Sequence, residues 1–395
     1  MTVSNTALAD AVSISFRDEP LRFFDHRLAT AGETFWLPDS VLCVAEPTAA
    51  KAVLANPDGL FEEHSDLFHT RRGPFGPRAA QVAIGRAARR LLVDHVALRA
   101  GELPATIERV LGRSSLWPHA GQWLIYRHLH AALVTPERAA AVGPWVDRVM
   151  ERGVLVGARE SRSALSRAFF RWRAFRQLTR EVEHRVGELD ALDEPRDLFD
   201  VLALGVEHGA DPQELGELYV PLLFAIASSV ALALGWSIHL LGTHPHTEAR
   251  SSWVVREALR LWPVAWQLVR QPAKAHGIAG VEVTPERPVL VSPYVTQRHP
   301  AHWREPNRFL PERWDERPED PAYFPFGWGP HTCVAAGLSY DIVRQVLDIL
   351  RRDYRMEVAP LSDQPFIGPS LAPPRFRLDL QPLTTHPQEG GDSPW

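Results

Sequence analysis

The chain is short of lysine. Lys51 and Lys274 are the only two in 395 residues, set against 41 arginines. With 34 prolines, that bias matches a GC-rich bacterial coding sequence, an association of composition and not a physical argument. Cysteine is equally scarce: Cys43 and Cys333 stand far apart, which excludes a disulfide framework and points to a reducing cytoplasm. Charge of one sign is lacking too. A formal net charge of −5 gives no electrostatic ground for nucleic acid or an anionic membrane. Residues 1–20 hold Asp10, Asp18 and Glu19 and no apolar run, so neither a signal peptide nor a membrane anchor is expected. One apolar stretch, Leu215 to Leu241, is long enough to span a bilayer. It is interrupted by Glu217, Pro221, Ser228, Ser229 and His239, and reads as an internal helix. A hydrophobic content of 45% with 23% charge excludes a disordered or coiled-coil chain and allows a large core.

What is present centres on Cys333. It lies in Phe326-Gly-Trp-Gly-Pro-His-Thr-Cys-Val-Ala335, directly ahead of a helix-like segment with apolar Ala336, Leu338, Ile342 and Val343. Glycines at 327 and 329 let backbone approach a large flat group closely, and helix N-terminal amides favour negative charge on sulfur. Far away, Glu257-Ala-Leu-Arg260 sits in a helical pattern that Pro263 ends, its i,i+3 spacing putting carboxylate and guanidinium on one face. Pro306-Asn-Arg-Phe-Leu-Pro-Glu-Arg-Trp314 follows downstream.

These three segments, in this order, resemble the helix pair, meander and haem-ligand loop of the cytochrome P450 family. Phe326 stands seven residues before the cysteine and His331 two before it; Ala335 stands where glycine is usual. The resemblance runs from about residue 35 to 380. It implies a mainly α fold with small β-sheets, a triangular helical prism with haem between the long internal helix and the cysteine-loop helix. The domain expected is a single one over 21–382, with an N-terminal segment 1–20 and a disordered tail 383–395.

By the same resemblance, haem b is the cofactor and Cys333 its thiolate ligand. Trp123, Arg127, Arg270 and His331 would serve the propionates, with Phe326 in the ligand loop. Glu257, Arg260 and Arg313 would form a buried charge network, tolerable only with every partner present. The substrate pocket would be lined by Ala225, Val264, Ala265, Trp266, Gln267, Phe366 and Ile367, favouring an apolar or aromatic substrate.

One departure is informative. Most oxygen-activating members carry an acid followed by threonine above the iron, where this chain has Phe224-Ala-Ile-Ala-Ser-Ser-Val230. One alignment puts Ser228 at the acid position and Ser229 at the alcohol; a shift by one puts Ala227 and Ser228 there. Three functions follow. The first is a soluble bacterial monooxygenase of specialised metabolism, fed electrons by a separate ferredoxin or flavodoxin. The second is an oxidative coupling, cyclising or peroxide-driven enzyme. The third is a non-catalytic haem-binding homologue. The Arg-rich stretch from Arg71 reads either as solvated surface or as a reader of a substrate carboxylate or phosphate.

Overall fold

The computed structural model describes residues 15–383 except 31, 63–64, 66, 159–162, 192 and 317–318. Of the terminal segments set apart at 1–20 and 383–395, residues 1–14 and 384–395 lie outside the described residues. The chain divides into two units: one comprises the described residues before 64 with 266–308 and 319–331, and the other comprises the rest.

The first unit is built on a four-stranded sheet in the order Thr34–Trp36, Leu42–Val44, Val289–Val291, Leu268–Arg270. Cys43 pairs with Phe35 antiparallel and with Leu290 in parallel, and Leu290 pairs with Val269 antiparallel. Central strands buried on both faces read as continuous apolar runs, as Leu-Cys-Val and Val-Leu-Val do here. Helix Pro20–Thr30 buries Leu21, Phe23 and Phe24. Phe24 meets Phe35 and Trp266 edge-on, at 6.4 and 6.0 Å. Helix Pro47–Ala55 starts on Glu46, whose carboxylate accepts from the Thr48 and Ala49 amides, and stops at Asn56 in the left-handed region.

The second unit is helical around the helix Pro212–Thr243, which begins on the Asp211 cap with proline at its first position. It is long and apolar enough to cross a membrane, yet 67% of its most apolar window is buried inside the protein. Against it pack His119–His128, Ser251–Leu261 and Ala336–Asp353. Trp236 fixes the far end, stacked on Trp262 at 4.2 Å and donating its indole N–H to the Leu371 carbonyl. A three-stranded antiparallel sheet of Tyr354–Pro360, Phe376–Pro382 and Ser114–Trp117 completes the unit.

Candidate active site

The long helix is not regular. Pro221 removes one backbone donor, and residues Phe224–Ser229 form a π-turn before α-helix resumes at Val230. Both serines lie on this turn, in different settings. Ser228 is fully buried and its hydroxyl accepts from Gln122 Nε2 at 2.7 Å. The Gln122 amide is itself fixed, donating to the Val154 carbonyl and accepting from the Val156 amide. Ser229 is half-buried, and no hydrogen bond holds its hydroxyl among the described residues. Ala225, one turn earlier, is half-buried as well.

Of the two cysteines, Cys43 is buried in the first unit's sheet, where burial pushes its thiol far up. Cys333 is exposed. Surrounding protein still raises its pKa by desolvation, and the hydrogen bond with the Ala335 backbone opposes that rise. Its carbonyl accepts from the Ala336 amide at the start of helix Ala336–Asp353. Gly327 and Gly329 both have positive φ, +77° and +74°. Gly329 is required for a nearer reason than cofactor approach: a Cβ there would lie 2.7 Å from Ala55 Cα.

Trp123 and Arg127 share a face of helix His119–His128, with the guanidinium 5.2 Å over the Trp123 ring. Arg127 also meets Asp147 loosely at 3.5 Å, while the Tyr126 hydroxyl donates to the same carboxylate. In the first unit, Arg270 is buried with Nη1 donating to the Val269 carbonyl. His331 and Phe326 are half-buried there. The second unit's donor set fits an iron porphyrin: one exposed thiol suits the metal, and a half-exposed indole–guanidinium pair suits a carboxylate.

The expected charge network is present and larger than its three members. Glu257 is fully buried and accepts from Arg260 Nε and Nη2 at 2.9 and 2.8 Å and from Arg313 Nε at 3.0 Å. The Trp314 indole and the Leu310 amide also donate to it, each at 3.1 Å. Five donors on one carboxylate are what makes a buried charge sustainable.

A cavity of about 960 Å³ opens within the second unit. Phe366 and Ile367 are among the residues that line it. Ala225, Val264, Ala265, Trp266 and Gln267 do not. Val264 is held back by its carbonyl, which accepts from the Leu371 amide. Trp266 belongs to the first unit's core against Phe24, with its carbonyl taken by Ser292 Oγ. The walls come instead from residues 149–158, from helix Ala164–Val186, and from Val220, Pro221, Phe224 and Leu232. Phe170, Phe175 and Leu155 make much of this surface apolar, while Arg152 and Arg171 make part of it cationic. The buried Arg152 Nε has no hydrogen-bond partner among the described residues, and its guanidinium lies 5.2 Å over Phe170. Arg71 also reaches this wall. Its side chain and amide are both bonded to Glu217, a carboxylate of the protein itself.

Comparisons with known proteins agree with this geometry. Residues 251–378, which carry the charge network and the cysteine loop, match the family model described as Cytochrome P450. Cyclooctatin synthase of Streptomyces melanosporofaciens is 29% identical over 45% of this chain and 43% of its own length. Cyclooctat-9-en-7-ol 5-monooxygenase of the same organism is 28% identical over 38% and 39%. The matches thus span less than half the length of these relatives. The structure of open cytochrome P450 EryK from S. erythraea superposes with a TM-score of 0.69 over 91% of this chain and 95% of that one, at 20% identity. Its fold is therefore shared nearly throughout, and residues 251–378, which include the cysteine loop, are similar to the cytochrome P450 family, whose members hold haem b through a cysteine thiolate.

Proposed function

We propose that this chain is a haem-thiolate monooxygenase that oxidises a hydrophobic small molecule, with electrons from a separate ferredoxin or flavodoxin in a bacterial cytoplasm. The observation that carries the reading is the exposure of Cys333 at the head of helix Ala336–Asp353, in contrast to buried Cys43. When bound, the iron porphyrin supplies dioxygen activation and oxygen insertion into an unactivated bond. The chain's own residues do the rest. Cys333 would furnish the thiolate donor, and Trp123, Arg127, Arg270 and His331 would hold the carboxylates of the group, with Phe326 in the ligand loop. Phe170, Phe175, Phe224 and Phe366 line the cavity and would exclude water from a bound substrate, and Arg152 and Arg171 would orient an oxygenated end of it. The Ser229 hydroxyl, which makes no hydrogen bond among the described residues, would hold a proton-bearing water. The names of the Streptomyces relatives support a role in natural-product biosynthesis.

The carbon-monoxide complex of the reduced protein tests this. The expected result is a red-shifted, thiolate-type Soret band that Cys333→Ser abolishes and Cys43→Ser preserves. An imidazole-type band in the parent protein would overturn it. A second reading, oxidative coupling, cyclisation or peroxide-driven chemistry, draws on Ser228: where an acid is usual, a hydroxyl is bound to a neutral amide. Turnover with peroxide matching that with a surrogate ferredoxin system would favour it. No turnover under either condition, with normal haem content, would favour a non-catalytic homologue.

A further inference from the structure

The first unit contains a cluster that the haem chemistry does not use. Glu33, in the turn before strand Thr34–Trp36, faces His299 and His302, in the turn that follows helix Pro293–Thr296. We propose that these three side chains form a binding site for a divalent transition metal of the zinc class, fastening two segments that lie more than 260 positions apart in the chain.

The two segments are held by their own backbone. The Glu33 carbonyl accepts from the Ala45 amide at 2.7 Å, and the His299 carbonyl accepts from the His302 and Trp303 amides, each at 3.0 Å. The side chains converge on one point. His302 Nε2 lies 2.6 Å from Glu33 Oε1, His299 Nδ1 lies 3.8 Å from the same oxygen, and all three ligand atoms fall within 4.8 Å of one another. Zinc bound at roughly 2.0–2.2 Å needs tetrahedral donors about 3.3 Å apart, so adjustments of roughly an ångström close the site. A fourth position is left for water.

The ligand types select the ion. Two imidazoles and one carboxylate suit zinc, nickel or copper, whereas calcium and magnesium require mainly oxygen. The tautomer is also set. The Ala301 amide donates to His299 Nδ1 at 3.1 Å, so the ring's lone pair is on the nitrogen that faces Glu33, and a metal would take the place of that amide. Glu46 is close enough to His302 for each to feel the other's charge, so a second carboxylate lies beside the dication. Its oxygens stay on the Thr48 and Ala49 amides, which leaves it outside the ligand set.

The test uses the haem-loaded full chain after treatment with a chelator. Calorimetric titration with zinc chloride should show one equivalent bound that is weakened at least tenfold in both Glu33→Gln and His302→Asn, with a rise in melting temperature that magnesium does not reproduce. Zinc-edge X-ray absorption on the unaltered protein at one equivalent should show nitrogen and oxygen donors including imidazole, a readout that does not depend on any variant folding. Equal stoichiometry and affinity in the parent and both variants, or sulfur in the zinc shell, would overturn the site. Because the readout is zinc and not the Soret band, its failure is separate from a failure of the haem reading.

Discussion

At the scale of single residues, the serine pair shows how a motif can be visible while its roles are not. Adjacent hydroxyls in an apolar helix were legible in the sequence. That Ser228 would be sealed against Gln122 was not, because the partner lies 106 positions away and no local pattern encodes it. The two settings predict opposite signatures. Ser228→Ala removes one buried hydrogen bond, at a cost of about 1 kcal/mol in stability, while Gln122 retains the Val154 carbonyl. Ser229→Ala should leave stability unchanged and instead raise the peroxide released per electron consumed, as measured against product formed. Unchanged coupling in both variants and in the double would remove either serine from proton delivery. Glu257 illustrates the reverse case: its arginine partners were readable from the i,i+3 spacing and the meander, and only the Trp314 and Leu310 donors came as additions. Arg260→Ala withdraws two of five donors from a fully buried carboxylate and should cost about 3–5 kcal/mol, seen as a lowered denaturation midpoint and poor haem incorporation. Normal expression and midpoint would dissolve the network's structural role.

At the scale of elements, the stop that Pro263 marks was legible, and helix Ser251–Leu261 ends just before it. The π-turn was not readable, since Pro221 announces a missing donor without saying how the helix absorbs it. Helix Ala164–Val186 is rich in arginine, and its residues Phe170, Arg171 and Phe175 line the cavity. Its distance from the long helix is set by Gly216. A Cβ there would meet Thr179, lying 2.6 Å from that residue's Cα, and backbone cannot swing aside as a side-chain tip can. Gly216→Ala gains roughly 0.5–1 kcal/mol of helix propensity and loses roughly 1–3 kcal/mol to overpacking. The expected outcome is a net fall in melting temperature, with weaker substrate binding as the cavity wall shifts. A melting temperature that rises would show that the two helices part without cost.

At the scale of the whole molecule, the fold class was legible because three distant motifs point to it. The division into two units and the cavity's true walls were not, since both depend on contacts between segments of unremarkable composition. A buried ionic cluster in the second unit was equally silent. Arg185, fully buried, pairs with Glu181, Asp197 and Asp200 at 3.0, 2.9 and 2.7 Å, while Arg138 and Arg196 brace the outer carboxylate oxygens. Burial works against the charges on Glu181 and Asp200, but hydrogen bonds from Arg138 and Arg185 to the first, and from Arg196 to the second, outweigh it and hold both pKa values below their ordinary 4.5 and 3.8. Their contribution is complete above those ordinary values and is lost as pH falls through the depressed folded ones. Asp197 has the opposite sign, because burial there outweighs Arg185 and raises its pKa. His128, pushed down to about 4 by burial, adds a loss of stability that begins below about pH 6.5. The parent protein should therefore weaken steadily below pH 6.5 and more steeply below about 4.5. Arg185→Met separates the network from the histidine. It strands Asp197 as an uncompensated buried charge, while Asp200 keeps Arg196, and should cost about 3–5 kcal/mol at neutral pH. As the pH falls the raised pKa of Asp197 lets it protonate, so the stability gap between parent and variant should narrow toward pH 5. Denaturant midpoints of both proteins from pH 7.5 to 4.5 measure that gap, and one that stays constant over the range would show that Arg185 contributes by packing and not by charge.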